Sequence, residues 1–311
     1  MNTNLGVNTN QRVNSKLTGE QRRVLQCAES GLRDLPWRRT RDPWAVLVAE
    51  IMLQQTQVAR AEQRWVAFLK RFPTTAACAE APLSDLLEEW SGLGYPRRAR
   101  NLQLTAIQVE SNGGVIPNRL EDLLTLPGVG PYTARAVLAF AFEQDAAIVD
   151  TNLGRILARR AGRPLGRAEA QAQADAWLPS GQSWAWNQAL LDVGALRCRP
   201  QAPVCTGCPV RRTCAWARAS WPAPDPAAGS AAVSTRQAKF AGSARQARGR
   251  LLRAAQQGAV APLGLSAAAG LEGQADAQAR ARAVADSLVS DGLLDRDGAG
   301  NWVIAGTTPN H

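Results

Sequence analysis

From Trp44 to Val58 the chain reads WAVLVAEIMLQQTQV, with apolar positions almost unbroken as far as Leu53. So dense a run, without glycine or proline, predicts a helix buried on nearly all sides. Elsewhere apolar residues recur three or four apart, which predicts amphipathic helices. Such segments cover residues 17–33, Trp65–Phe72, Ser84–Trp90 and 99–112. A leucine-rich stretch, 120–126, runs into Pro127-Gly128-Val129-Gly130-Pro131, and a second apolar segment follows from Thr133 to Phe142. Two helical patterns around a Gly-Val-Gly turn predict a helix–hairpin–helix. After the apolar run Ala146–Val149 comes Asp150, then TNLGRILARR with Leu153, Ile156 and Leu157 on a helical period. Further helices are predicted at 167–178 and 184–196. Up to residue 221 the pattern is all-α.

The pattern then changes. Residues 222–235, PAPDPAAGSAAVST, read as a linker. Helices at about 243–257 and 275–290 follow, and DGLLDRDGAGNWVIAG reads as strand, glycine turn and strand. This predicts a small C-terminal α+β module of winged-helix type over 236–306. The polar residues 1–16 read as a disordered arm with no signal-peptide core. No apolar run reaches membrane-spanning length. The expected organisation is therefore an arm (1–16), a helical region (17–221), a linker (222–235) and the small module (236–306).

Charge adds a partner class. The net charge is +10 and the pI about 10.2. Residues 222–311 hold nine basic and seven acidic residues, so nearly all the excess lies in the first 221. A polyanion is the natural partner of such a surface. Only three of the 36 basic residues are lysine: Lys16, Lys70 and Lys239.

Candidate chemistry sits at five places. The hairpin Gly128, Val129 and Gly130 offers backbone N–H groups at a helix start, which suits a phosphate; a plain helical hairpin with a glycine cap reads equally well. Glu50 lies inside the most apolar helix, where an acid is either a structural group or one with a raised pKa, as a general acid requires. Asp150 is placed as a helix N-cap, where N–H groups favour its anion. The polar run Gln54–Gln57 and the turn carrying Tyr95 beside Arg97, Arg98 and Arg100 could read base edges and phosphates, or could be an ordinary polar helix end and a solvated basic turn. Cys198, Cys205, Cys208 and Cys214, spaced C-x6-C-x2-C-x5-C, argue for metal; zinc and an iron–sulfur cube fit the spacing alike. Cys27 and Cys78 read as free thiols in helices.

Taken together, LPGVGPYTA, VDTN and the cysteine spacing resemble the helix–hairpin–helix base-excision DNA glycosylases, and most closely the adenine DNA glycosylases of the MutY type. The likeness spans about Leu35 to Trp216. It implies a six-helix barrel module (about 44–146), a cluster module (17–43 with 147–221) and a [4Fe-4S] cluster on the four cysteines. It implies duplex DNA with adenine opposite 8-oxoguanine or guanine as substrate. Glu50 then resembles the acid that protonates adenine, and Asp150 the carboxylate that stabilises the sugar cation. Tyr132 and Asn152 resemble their partners. Trp37, Arg38, Leu53 and Gln188 resemble the adenine pocket, and Gln55 and Tyr95 the residues meeting the opposite base. The resemblance also implies a monomer in the bacterial cytoplasm, associated with the nucleoid.

Two departures matter. Lyase members of the superfamily carry a lysine in the hairpin where Tyr132 stands, and no lysine lies between Lys70 and Lys239, so a monofunctional enzyme is expected. Thymine-mismatch glycosylases share that tyrosine, and a thymine- or uracil-mismatch glycosylase is the alternative; a non-catalytic lesion-binding protein is a further one. The tail lacks a match to the Nudix-like domain that recognises 8-oxoguanine in most MutY-type proteins, and VDTN stands where many relatives have VDGN.

Overall fold

The computed structural model describes residues 17–230 and 239–307. The expected arm, residues 231–235 of the expected linker and 236–238 of the expected module lie outside the described residues. Contacts divide the chain into two units: residues up to 41 with 131–235, and 42–130 with 236 onward. The division falls inside the hairpin, so its second helix goes with the cysteine-bearing unit.

In the cysteine-bearing unit, α1 (Gly19–Glu29) starts at a capping box formed by Thr18 and Gln21. A later α2 (Pro43–Leu53) opens the other unit. There Asp42 accepts from Trp44 N, and Pro43 needs no donor at the first turn. Every residue of α2 from Trp44 to Met52 is buried, as the pattern predicts. The helix stops at Leu53 rather than Val58, because Gln54 N–H turns back to Ile51 O and Gln55 adopts φ 56°. Helices α3 (Val58–Arg71) and α6 (Arg97–Ser111) pack on it, α4 (Thr75–Glu80) and α5 (Leu83–Glu89) pack on α6, and α7 (Leu120–Leu123) leads to the hairpin. Tryptophan N–H groups tie the layers: Trp44 donates to Phe72 O and Trp65 to Ala45 O.

The first unit continues with α8 (Pro131–Phe140), α9 (Thr151–Ala161), α10 (Arg167–Trp177), α11 (Ser183–Asp192), a π-turn at Val193–Arg197 and α12 (Ala215–Arg218). Its core joins Val24, Leu157, Trp177, Trp186 and Leu190. Residues 222–230, expected as linker, are packed against this unit. Asp225 forms a 2.5 Å ion pair with the buried Arg159, and Ser230 is 5% exposed.

The C-terminal module has α13 (Ala244–Gln257), α14 (Leu265–Ala269), α15 (Ala277–Ser290), β1 (Leu294–Arg296) and β2 (Trp302–Ile304). The strands pair antiparallel, Leu294 opposite Ile304, and Val260 bridges to Trp302 on β2's other edge. Three helices and a two-stranded antiparallel sheet make this a small α+β module.

Candidate active site

Glu50 sits on α2 and is 5% exposed. Leu53 is one turn further along the same helix, at its half-buried end. What fixes that end is Arg98. One nitrogen of its guanidinium donates to the carbonyls of Ile51, Met52 and Gln54 at 2.7–2.9 Å, satisfying the last turn of α2. The other reaches Leu93 O at 3.0 Å, Gly94 O at 2.9 Å and Thr56 Oγ1 at 3.1 Å. Its charge also lies 5.3 Å from the Trp90 ring centre and 5.7 Å from that of Tyr95. Burial lowers its pKa to about 10. Arg98 thus ties the turn of Gln55 to the turn of Tyr95, both exposed and both in the left-handed region (φ 56° and 50°). Such backbone costs a non-glycine residue about 1–3 kcal/mol and persists only where surroundings enforce it.

The three arginines beside Tyr95 are not a free phosphate cluster, then. Arg98 is 9% exposed, Arg97 pairs with Asp291 at 3.2 Å and Arg100 donates to Gln103. A run of arginines cannot reveal from sequence which carbonyls lie nearby.

At the hairpin, Gly128 has φ 76°, and a Cβ there would come within 2.9 Å of Asn101. Thr105 Oγ1 donates to Pro127 O at 2.8 Å and fixes the approach. Val129 is 6% exposed, and its N–H is taken by Leu126 O at 3.1 Å. That amide is spent within the turn, contrary to a run of open donors. Gly130 precedes α8, on which Tyr132 is half-buried.

Asp150 follows an extended segment that Asn187 pins from α11: its Oδ1 accepts from Ile148 N, and its Nδ2 donates to Ala146 O. Asp150 caps α9 as expected, accepting from Leu153 N at 2.7 Å and from Asn152 Nδ2 at 2.7 Å. The cap was expected to favour the anion. Burial outweighs it, and the carboxyl is raised above the usual range despite these donors and the charge of Arg155. Asn152 Oδ1 in turn accepts from Arg155 Nη2 at 2.9 Å, and the same nitrogen donates to Gly194 O at 2.8 Å. Arg155 Nε reaches Cys198 O at 3.1 Å. Gly194 is required here, since a Cβ would lie 2.5 Å from Asn152 Cβ. Arg155 was missed in the sequence; its position one turn after Asn152 was the available signal.

Trp37 and Arg38 lie on a 3-10 turn, Pro36–Arg39, each 8% exposed. Arg38 is bidentate to Asp192 at 2.8 and 3.0 Å, and Arg33 shares that carboxylate. Burial opposes the Asp192 anion, but the two arginines win and hold it below the usual range. Gln188, 3% exposed, is on α11.

Cys198, Cys205, Cys208 and Cys214 all line one small pocket, partly open to solvent. Burial pushes the Cys208 thiol up to about 11, and the neighbouring sulfurs add to it. Arg159 Nη1 lies 3.3 Å from Cys198 Sγ. Among the described residues no three cysteine, histidine or acidic side chains meet as ligands of a single metal ion. Cys27 is half-buried and Cys78 fully buried, both free.

Of the expected residues, the cysteine-bearing unit thus holds Trp37, Arg38, Tyr132, Asp150, Asn152, Gln188 and the four cysteines. The other holds Glu50, Leu53, Gln55, Tyr95 and Gly128–Gly130.

The family described as "HhH-GPD superfamily base excision DNA repair protein" matches residues 48–179. That defines the class: a helix–hairpin–helix repair glycosylase. An adenine DNA glycosylase of Mycolicibacterium smegmatis is 38% identical over 91% of this chain and 95% of its own length. One from Mycobacterium tuberculosis is 39% identical over 88% of this chain and 90% of its own. The structure of a thermostable thymine-DNA glycosylase matches 68% of this chain and 99% of its own, with a TM-score of 0.61 and 28% identity. The chain belongs to the adenine DNA glycosylase family. The M. smegmatis match leaves out only 9% of the chain, so most of the C-terminal module is shared with that relative.

Proposed function

We propose that this enzyme is a monofunctional glycosylase that hydrolyses the N-glycosidic bond of adenine opposite 8-oxoguanine or guanine in duplex DNA. The observation that carries it is the retention of Glu50 in a buried apolar helix together with Asp150 held by Asn152, in a chain of this family. The adenine must leave the base stack for its bond to be reached. Glu50 then donates a proton to the departing base, which weakens the bond to the sugar. Asp150 stabilises the positive charge that develops on the sugar as the base leaves. Its raised pKa reflects burial before DNA is bound; a cation beside it favours the anion. Water completes the hydrolysis, and the strand stays intact because Tyr132, not a lysine, stands in the hairpin. Trp37, Leu53 and Gln188 are the residues we assign to adenine, and Asp192 holds Arg38 for the same role. The hairpin meets the phosphate backbone at Gly128 and Gly130, the amide of Val129 between them being bonded to Leu126 O, and Gln55 and Tyr95 meet the opposite base.

A [4Fe-4S] cluster fits the cysteine site. All four cysteines line one pocket, and their C-x6-C-x2-C-x5-C spacing, which resembles the family's, favours a cube over zinc. Cys198, Cys205, Cys208 and Cys214 would hold it, and it would supply structural cross-linking next to α9. No helix among the described residues is long and apolar enough to cross a membrane; the proposed setting is a monomer in the bacterial cytoplasm, at the nucleoid.

Single-turnover base release from duplexes with A opposite 8-oxoguanine, A opposite G and T opposite G tests this. Adenine should leave the first two and thymine should stay in the third. Thymine release instead would support the second reading, a thymine-mismatch glycosylase, which the 28%-identical structure favours.

A further inference from the structure

The C-terminal module reaches the turn of Tyr95 through one side chain. Arg245 Nη1, on α13, donates to Tyr95 Oη at 3.0 Å across 150 residues of sequence. The module is fastened beside it: Asp291 accepts from Arg97 at 3.2 Å and from Arg248 at 2.5 Å through its two oxygens. Gly292, next along, lies against Arg100.

Tyr95 needs such a hold. It stands on a turn between Gly94 and Pro96, its residue is 37% exposed, and its backbone is in the left-handed region. Arg98 fixes the turn from beneath and lies against the ring, but an exposed tyrosine still has several staggered rotamers open to it. A charge-assisted bond at the far end of the ring selects one of them. Arg245 is itself oriented, its guanidinium 6.0 Å from the Phe240 ring centre.

We propose that Arg245 is a positioning residue for Tyr95: it holds the phenol in the attitude that meets the base opposite the excised adenine, so opposite-base preference depends on the C-terminal module. This rests on the reading of Tyr95 given under the proposed function. Arg245 acts through the Tyr95 hydroxyl and not merely as a cation near DNA.

Tyr95 and Tyr132 are the only two tyrosines, so 3-fluorotyrosine labelling gives two ¹⁹F resonances, assigned with Tyr95→Phe. In DNA-free protein, Arg245→Ala should move the Tyr95 resonance. Arg253→Ala, an exposed arginine of the same helix, should leave it in place. Arg245→Ala should lower the ratio of adenine release opposite 8-oxoguanine to that opposite guanine by about fivefold, Tyr95→Phe by a similar factor, and the double variant no further. Arg245→Lys should restore part of the ratio. An unmoved resonance, losses that multiply in the double variant, or an equal loss in Arg253→Ala overturns the proposal. Absence of adenine release in the unaltered protein would overturn the functional reading and this one with it; normal release with an unmoved resonance overturns this one alone.

Discussion

Asn152 donates to Asp150 Oδ2 at 2.7 Å while its own oxygen accepts from Arg155 at 2.9 Å. Asp150 is therefore held on one side by a side chain that is itself held by a cation. The amide can present only N–H to Asp150 so long as Arg155 occupies its oxygen. Asn152→Ala should slow single-turnover adenine release by about 10- to 100-fold, the worth of a hydrogen bond to a charged group. Arg155→Gln should slow it too. Unchanged rates in both would show that Asp150 needs no such orientation.

The same carboxylate carries a stability cost. Its folded pKa is raised, so its anion is disfavoured by folding at neutral pH, and the penalty is relieved as pH falls through the folded value. Asp150→Asn should raise the unfolding midpoint at pH 7, and the gain should shrink as pH falls through the folded value. Glu20, Asp192 and Asp225 have the opposite sign. Each is held below its usual value, against burial, by arginine partners. The stability they add is present above about pH 4 and is lost as pH falls through their lowered values. Thermal scans from pH 3 to 8 check both signs.

Purified protein should be yellow-brown, with about four irons per chain. Cys214→Ser should lower iron content and the unfolding midpoint together, since it removes a proposed cluster ligand whose sulfur lies beside Arg159 of α9. Stoichiometric zinc with no iron after anaerobic purification would contradict the cluster assignment.

Borohydride added during turnover should trap no covalent protein–DNA adduct, and strands should break only after alkali or heat. Efficient trapping would mean that an amine attacks the sugar, against the reading of Tyr132.

Much of this was legible in the pattern of residues. The buried helix of Glu50, the cap at Asp150 and the two glycines of the hairpin all follow from local rules that a sequence displays. The short helix Thr75–Glu80 was not legible, because six residues carry too little periodicity. Nor were the roles of Arg98, Arg155 and Arg159. An arginine reads as surface charge until the carbonyls and carboxylates it serves are brought to it by the fold. The same blindness made 222–230 look like linker, although Asp225 is the partner that Arg159 requires.

On the proposed mechanism, Glu50 and Asp150 carry the chemistry. The direct measurement is single-turnover adenine release by Glu50→Gln and Asp150→Asn from a duplex with A opposite 8-oxoguanine, with duplex affinity measured separately. Each variant should lose about 10²–10⁴-fold in rate while binding the duplex nearly as well as the unaltered protein. Near-unaltered release by either variant would contradict the account.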